Sequence, residues 1–265
     1  MSVATTRIVL KSPREIELMR AAGRVVYRVL VELEGLIRPG VTTRALNDAA
    51  ERIIREADGT ALFLGVKNPQ ARYPFPASIC SSVNEEVVHG IPDDRPLKPG
   101  DIVKVDCGVR LKGYCGDSAR TFPVGLVSLP IRKLLDATRG ALDLAVHESA
   151  PYMRWSAVAK LMQRYVEDRG FGVVREFVGH GVGRDMHEEP KVPNYADRST
   201  RAQDFELVPG MTLAVEPMVT MGGPDVEYRD KDRWTVVTKD RSLAAHFEHT
   251  IAVTETGIEV LTDGK

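Results

Sequence analysis

The 265-residue sequence predicts an α+β fold built from two similar halves, on three observations. Helix-forming segments come in two consecutive pairs. Each pair is followed by strand-like runs rich in Val, Ile and Gly. The runs also correspond: LKPGDIVKVD and LVPGMTLAVE each place a carboxylate (Asp106, Glu216) six residues after a glycine (Gly100, Gly210). A His-Gly pair lies upstream of each, at His89-Gly90 and His180-Gly181. The expected arrangement is a single domain over residues 1–265, with pseudo-symmetric halves at about 12–124 and 128–255 sharing one antiparallel sheet. No Gly/Ser linker or low-complexity tract divides them.

The first helix opens with Ser12 as N-cap, Pro13 at the first helical position and Glu15 closing a capping box. Apolar residues then recur at helical spacing (Ile16, Met19, Val26, Leu30, Leu33, Ile37) until Pro39-Gly40. A second helix runs from about Thr43 to Ala57, with Gly59 as its stop. The stretch VKVDCGVRLKGYCGDSART reads as a hairpin turning at Leu111-Lys112 or at Lys112-Gly113. In the second half, Ser128 and Pro130 start a helix that ends near Pro151. Ser156 caps the next, WSAVAKLMQRYVEDRG, which stops at Gly170.

Composition narrows the class. With 43% hydrophobic and 28% charged residues, a net charge of -1 and no basic block, nothing electrostatic argues for nucleic acid or an anionic membrane. The opening MSVATTRIVL lacks the apolar core of a signal peptide. Three cysteines (Cys80, Cys107, Cys115) without a CxxC pair fit a reducing compartment better than a disulfide framework, so a cytoplasmic protein is expected.

The hairpin raises the question of function, because Asp106 and Asp117 interrupt strands that otherwise look buried. Turning at Leu111-Lys112 sets the two aspartates directly opposite; turning at Lys112-Gly113 makes them diagonal neighbours. Both place the carboxylates on one face, about 5–8 Å apart, whereas a three-residue turn would send one away. Like charges across a sheet destabilise it unless they share a proton, meet a cation or face solvent. Glu216 ends the strand MTLAVEP, and Glu248 lies in the strand-like AAHFEHTIAVT. His180 lies in FVGHGVGRDMHEEP, where three glycines are expected to hold unusual turns. Each residue alone reads as surface or structure. Together, four carboxylates carry −4, which two divalent ions neutralise and one does not. Oxygen-rich ligands with one imidazole suit Mn, Fe, Co or Zn, and a metal pair that shares a hydroxide and polarises a carbonyl implies hydrolysis.

Five blocks sharpen this reading: VNEEVVHGIPDDRPLKPGDIVKVDCG, GYCGDSARTF, VGHGVGRDMHEEP, AVEPM and TKDRSLAAHFEHT. In order and spacing they resemble the methionine aminopeptidases, M24 metallopeptidases of the pita-bread fold, over nearly the whole chain. The resemblance implies that Asp106, Asp117, His180, Glu216 and Glu248 are the metal ligands. Asp117 and Glu248 would bridge two ions, Asp106 would chelate one, and His180 with Glu216 would complete the other. It also implies that His89 and His187 hydrogen-bond the scissile amide and its tetrahedral intermediate, and that Glu216 accepts a proton from the attacking water. Phe75, Cys80 and Trp234 would line an apolar methionine pocket. The loop GVKNPQARYPFPAS is longer than its bacterial counterparts. Gly108 stands where the family often has a hydroxyl residue, and His246 where glutamine is usual. Only 36 positions separate His180 from Glu216, and the chain starts almost at its first helix, as in the short bacterial-style type I form. That form implies release of the initiator methionine from nascent chains with a small second residue, at or near the ribosome, by a monomer. The Met1-Ser2 start would itself qualify.

Two other readings compete. A proline-directed peptidase of the same fold usually carries a large N-terminal domain, for which the chain is too short. A catalytically dead relative that binds ribosomes or RNA would be expected to lose metal ligands or gain basic tails, and neither is seen.

Overall fold

Ser12 starts the first helix as the sequence requires. In the computed structural model, which describes residues 8–265, its hydroxyl accepts from the Glu15 amide and the Glu15 carboxylate answers at the Ser12 amide. The start Met1-Ser2 lies outside the described residues. Helix α1 spans Pro13–Leu36, and Ile16, Met19, Val26, Leu30 and Leu33 are buried, with Ile37 just beyond as a half-buried cap. Helix α2 is Thr43–Glu56. The left-handed residue that ends it is Asp58 (φ 56°), not Gly59. Gly59 is needed for space, since a Cβ there would lie 2.9 Å from Val109 Cγ1. Helix α3 is Leu129–Glu148 and α4 is Trp155–Glu167, followed by left-handed Gly170. Ser156 does not cap α4. It sits inside the first turn, and Asp204 from a distant segment accepts from both its amide and its hydroxyl at 2.9 Å.

The hairpin joins strands Ile102–Leu111 and Tyr114–Pro123 through Lys112-Gly113, both at positive φ (51° and 82°), which is the two-residue turn that matches strand twist. The register pairs Gly108 with Asp117 and Asp106 with Ala119, so the two aspartates are diagonal neighbours on one face. The Pro-Gly turns at Gly100 and Gly210 are also alike, with φ 92° and 94°.

Every strand pairing among the described residues is antiparallel, but the strands fall into four ladders rather than one continuous sheet. One backbone bond, from Glu248 N to Ala119 O at 2.9 Å, and several side chains close the gap. Where Tyr114–Pro123 meets the segment 246–250, the Ser118 hydroxyl donates to Glu248 O, Thr121 to His246 O and Thr250 to Asp117 O. In return the amides of Asp117 and His246 donate to the Thr250 and Thr121 hydroxyls. Lys104 adds a brace. Only 1% exposed, it donates from Nζ to Asn84 O (2.6 Å) and Ala244 O (3.0 Å), and burial lowers its pKa to about 7. Two large apolar clusters flank this seam, one under α1 and α2, the other under α3 and α4.

Helix α1 approaches the hairpin through a glycine contact: a Cβ on Gly116 would lie 2.6 Å from Gly23 N, and one on Gly23 would lie 2.0 Å from Leu261 O. Gly23→Ala should therefore destabilise the protein by about 1–3 kcal/mol despite the gain in helix propensity, because backbone must move. Urea denaturation checks this, and a variant as stable as the parent would contradict it.

Candidate metal centre and active site

The ladders bring the candidate ligands together. Asp106 and Asp117 come from the hairpin, and His180 from the short strand Gly179–Gly181, which pairs at His180 with Ala214. Strand Thr212–Val215 pairs with His249–Thr254, and its last rung is Val215 with His249. Glu216 and Glu248 therefore leave that ladder next to each other. Glu248 sits in the break after the strand Ala244–His246, not within a strand. All five line one cavity of about 830 Å³, together with His89 and His187. Ligand atoms of Asp117, His180 and Glu248 lie within 4.8 Å of one another, and His180 Nε2 is 3.6 Å from Glu216 Oε1.

The glycines of FVGHGVGRD work by close approach. Gly179, Gly181 and Gly183 all have ordinary negative φ; a Cβ would strike Ala214 O at 2.2 Å, Glu189 O at 2.3 Å and Glu188 Oε1 at 2.3 Å respectively. They let His180 and its loop press against neighbouring backbone.

Asp117 and Glu248 are 3% and 2% exposed, which rules out the surface reading for both. Buried oxygens Asp106 Oδ1, Asp117 Oδ1 and Glu248 Oε1 have no hydrogen-bond partner. Among the described residues, the ion-pair partners of the cluster are imidazoles, His180 and His246, and no Lys or Arg compensates it. Burial, then mutual repulsion, raises Asp106, Glu216 and Glu248 well above the carboxylate range, and burial raises Asp117 to about 7. Orphaned buried acceptors with hard oxygen atoms and one imidazole fit a divalent cation.

His180 is prepared for such a role. Its Nδ1 lies 2.9 Å from Gly181 O; a proton donated there leaves the Nε2 lone pair facing the carboxylates. Burial lowers its pKa to about 3, so it is neutral and free to ligate. His89 takes a left-handed backbone (φ 57°), and its ring meets Phe177 edge-on at 5.6 Å. Burial, with His187 adding, lowers its pKa to about 4 and keeps it a neutral donor. His187 is exposed at the cavity mouth, its ring 4.3 Å from that of His180.

Phe75, Cys80 and Trp234 meet in one apolar cluster with Phe63, Ala77 and Met186. Phase and pairing explain why it adjoins the acidic floor: Cys80 is the strand partner of Asp106. Paired backbone bonds between Gly65, Val66 and Phe75 close the long loop, and Trp234 Nε1 donates to Tyr73 O at 2.8 Å. A Cβ on Gly108 would lie 3.3 Å from Asp117 Oδ1 and 3.2 Å from Met186 Sδ. His246 is buried with Nε2 3.5 Å from Glu216 Oε2. The sequence reading did not single out Phe63, Met186 and Phe177, although the last two lie within FVGHGVGRDMHEEP, nor the salt bridge from Lys11 to Glu188 (2.5 Å) at the cavity rim.

The signs of these shifts fix a pH test. A carboxyl whose folded pKa is raised costs the metal-free fold stability as pH climbs from about 4 through the folded value, about 7 for Asp117. The buried histidines act oppositely, but only below their unfolded value near 6.5. Above that, Lys104 is common to both metal states. The stabilisation gained on adding Mn²⁺ to chelated protein should therefore grow between about pH 6.5 and 8.5, as bound protons no longer compete. Thermal unfolding with and without metal across that range measures it; a pH-independent gain would refute it.

A family model described as metallopeptidase family M24 matches residues 17–255. Methionine aminopeptidase 1 of Bacillus subtilis is 48% identical over 255 residues, covering 96% of this chain and 99% of that protein. The crystal structure of methionine aminopeptidase from Rickettsia prowazekii superposes with TM-score 0.90 at 37% identity, covering 97% of this chain and all (100%) of that one. An Xaa-Pro dipeptidase from Bacillus anthracis, 23% identical with TM-score 0.74, covers 97% of this chain and 62% of that one, and shares the fold alone.

Proposed function

The chain belongs to metallopeptidase family M24, and we propose that its seven polar groups (Asp106, Asp117, His180, Glu216, Glu248, His89 and His187) form the site that removes N-terminal methionine from peptides. That activity is metal-dependent hydrolysis of the first peptide bond, on the pita-bread fold. The observation carrying the site assignment is the set of orphaned buried carboxylate oxygens facing a neutral imidazole.

Two divalent ions are proposed, on charge balance: four carboxylates against +4, drawn from Mn, Fe, Co or Zn. Asp106, Asp117, His180, Glu216 and Glu248 would hold them, with Asp117 and Glu248 shared. When bound, such ions activate water and polarise the amide carbonyl. The remaining work falls to the chain. The Phe75, Cys80 and Trp234 cluster takes the methionine side chain, and because Cys80 adjoins Asp106 the scissile bond is delivered over the acidic floor. Glu216 accepts the proton of the attacking water. His89 donates to the amide, and His187, at the mouth, donates to the carbonyl oxygen as negative charge develops there. Burial keeps the His89 imidazole neutral, with one ring nitrogen available as the donor.

The preferred substrates are nascent chains with a small second residue, met at or near the ribosome by a cytoplasmic monomer folded as one domain. No described helix is long and apolar enough to cross a membrane. Chelated protein tested with Met-Ala-Ser and with Xaa-Pro peptides, before and after Mn, Co or Fe, should cleave only the first and only with metal. Preference for Xaa-Pro would overturn the reading. Asp117→Ala should abolish turnover with the circular dichroism spectrum retained. His187→Ala should keep metal bound, by calorimetry, while kcat falls about 10²–10³-fold, the scale for one lost oxyanion donor; an unchanged kcat would remove His187 from the mechanism.

A further inference from the structure

His187 stands on a rim loop with no hydrogen bond of its own side chain among the described residues, so something else must fix its place. The next residue, Glu188, divides its carboxylate. Oε1 accepts from the backbone amides of Arg184 (2.9 Å) and Asp185 (3.3 Å), closing the loop on itself. Oε2 accepts from Lys11 Nζ at 2.5 Å. Lys11 precedes α1, 177 residues earlier in the chain, and its side chain is 4% exposed. Its own backbone is anchored, since the Lys11 amide donates to Gly210 O at 2.7 Å and Nζ also donates to Val9 O at 2.9 Å. The pair crosses directly over Gly183, where a Cβ would lie 2.3 Å from Glu188 Oε1 and 2.5 Å from Lys11 Cε.

We propose that Lys11 is a positioning residue for His187: its ammonium, acting through Glu188, sets the rim loop and thereby the distance from the imidazole to the scissile carbonyl. The loop amide pair closes the turn, and the strand pairing of Glu188 with Gly181 holds its far end. The long-range tether to a segment held by Gly210 adds a second fixed point, from the other end of the chain. A hydrogen bond between an ammonium and a carboxylate is stronger than a neutral one, and displacement of a reacting group by about 1 Å costs up to about 10²-fold in rate. The inference rests on the role given to His187 above.

The test is a double-mutant cycle on the Mn-loaded full chain with Met-Ala-Ser. Lys11→Met, close in volume, should lower kcat about 10-fold or more with KM little changed. Glu188→Gln, which keeps an acceptor for the loop amides, should do the same. In the His187→Ala background, Lys11→Met should change kcat by no more than about twofold. A purely structural role predicts instead that the two losses multiply, and that result, or a parental kcat in Lys11→Met, would overturn the proposal. A second readout needs no metal. In chelated protein the His187 ring resonances, assigned with His187→Ala, should shift or broaden in Lys11→Met while those of His249 stay. An unmoved His187 signal overturns the tether even if the functional reading stands. A moved signal with full activity in His187→Ala upholds the tether and sinks the catalytic role.

Discussion

Four carboxyl groups confined to one cavity, with no lysine or arginine paired to them among the described residues, are the constraint on which the molecule turns. Taking ions out of water costs several kcal/mol each even after relaxation, roughly, unless charge and hydrogen bonds compensate. Without cations the cluster responds by holding protons, which is why its pKa values are displaced upward. The fold must therefore be stable enough elsewhere to tolerate a centre that repels itself. The two large apolar clusters beneath the helix pairs provide that stability at a distance from the site.

The seam between the halves shows how the tolerance is organised. A backbone ladder there would fix strand spacing at its usual value. Instead a single backbone bond, from Glu248 N to Ala119 O, crosses it, and Ser118, Thr121 and Thr250 bridge the strands by hydroxyl groups around Asp117 and Glu248. Asp117 Oδ1 and Glu248 Oε1, buried there, have no hydrogen-bond partner that would compete with a cation. Buried Lys104, near the seam, donates from Nζ to two backbone carbonyls and not to the acidic cluster. The arrangement separates the groups that hold the fold from the carboxylates proposed to hold a metal.

Register joins the apolar cluster to the acidic one. Cys80 pairs with Asp106, so the two side chains lie side by side on one face of neighbouring strands, with no flexible element between them. The histidines stand on tighter geometry: His89 in a left-handed backbone, His180 beside glycines that touch backbone, His187 on a loop tied to the segment before α1. Rigid strands carry Asp106 and Asp117, and short strained or tethered segments carry the three imidazoles beside them.

The sequence alone determined much. Capping residues, apolar spacing and Pro-Gly turns marked the four helices and the repeated strand entry, because these signals are local. The hairpin confined Asp106 and Asp117 to one face, since side-chain alternation follows from any two-residue turn. The tertiary structure decided the rest, because it concerns groups that meet only across long sequence distances. It chose the Lys112-Gly113 turn, replaced the Ser156 cap by Asp204, and showed close approach where the glycines around His180 had suggested turns. It split the expected sheet into ladders joined by hydroxyls, and it brought Lys11 to Glu188. No periodicity encodes such meetings; they exist only once packing has brought distant backbone into contact.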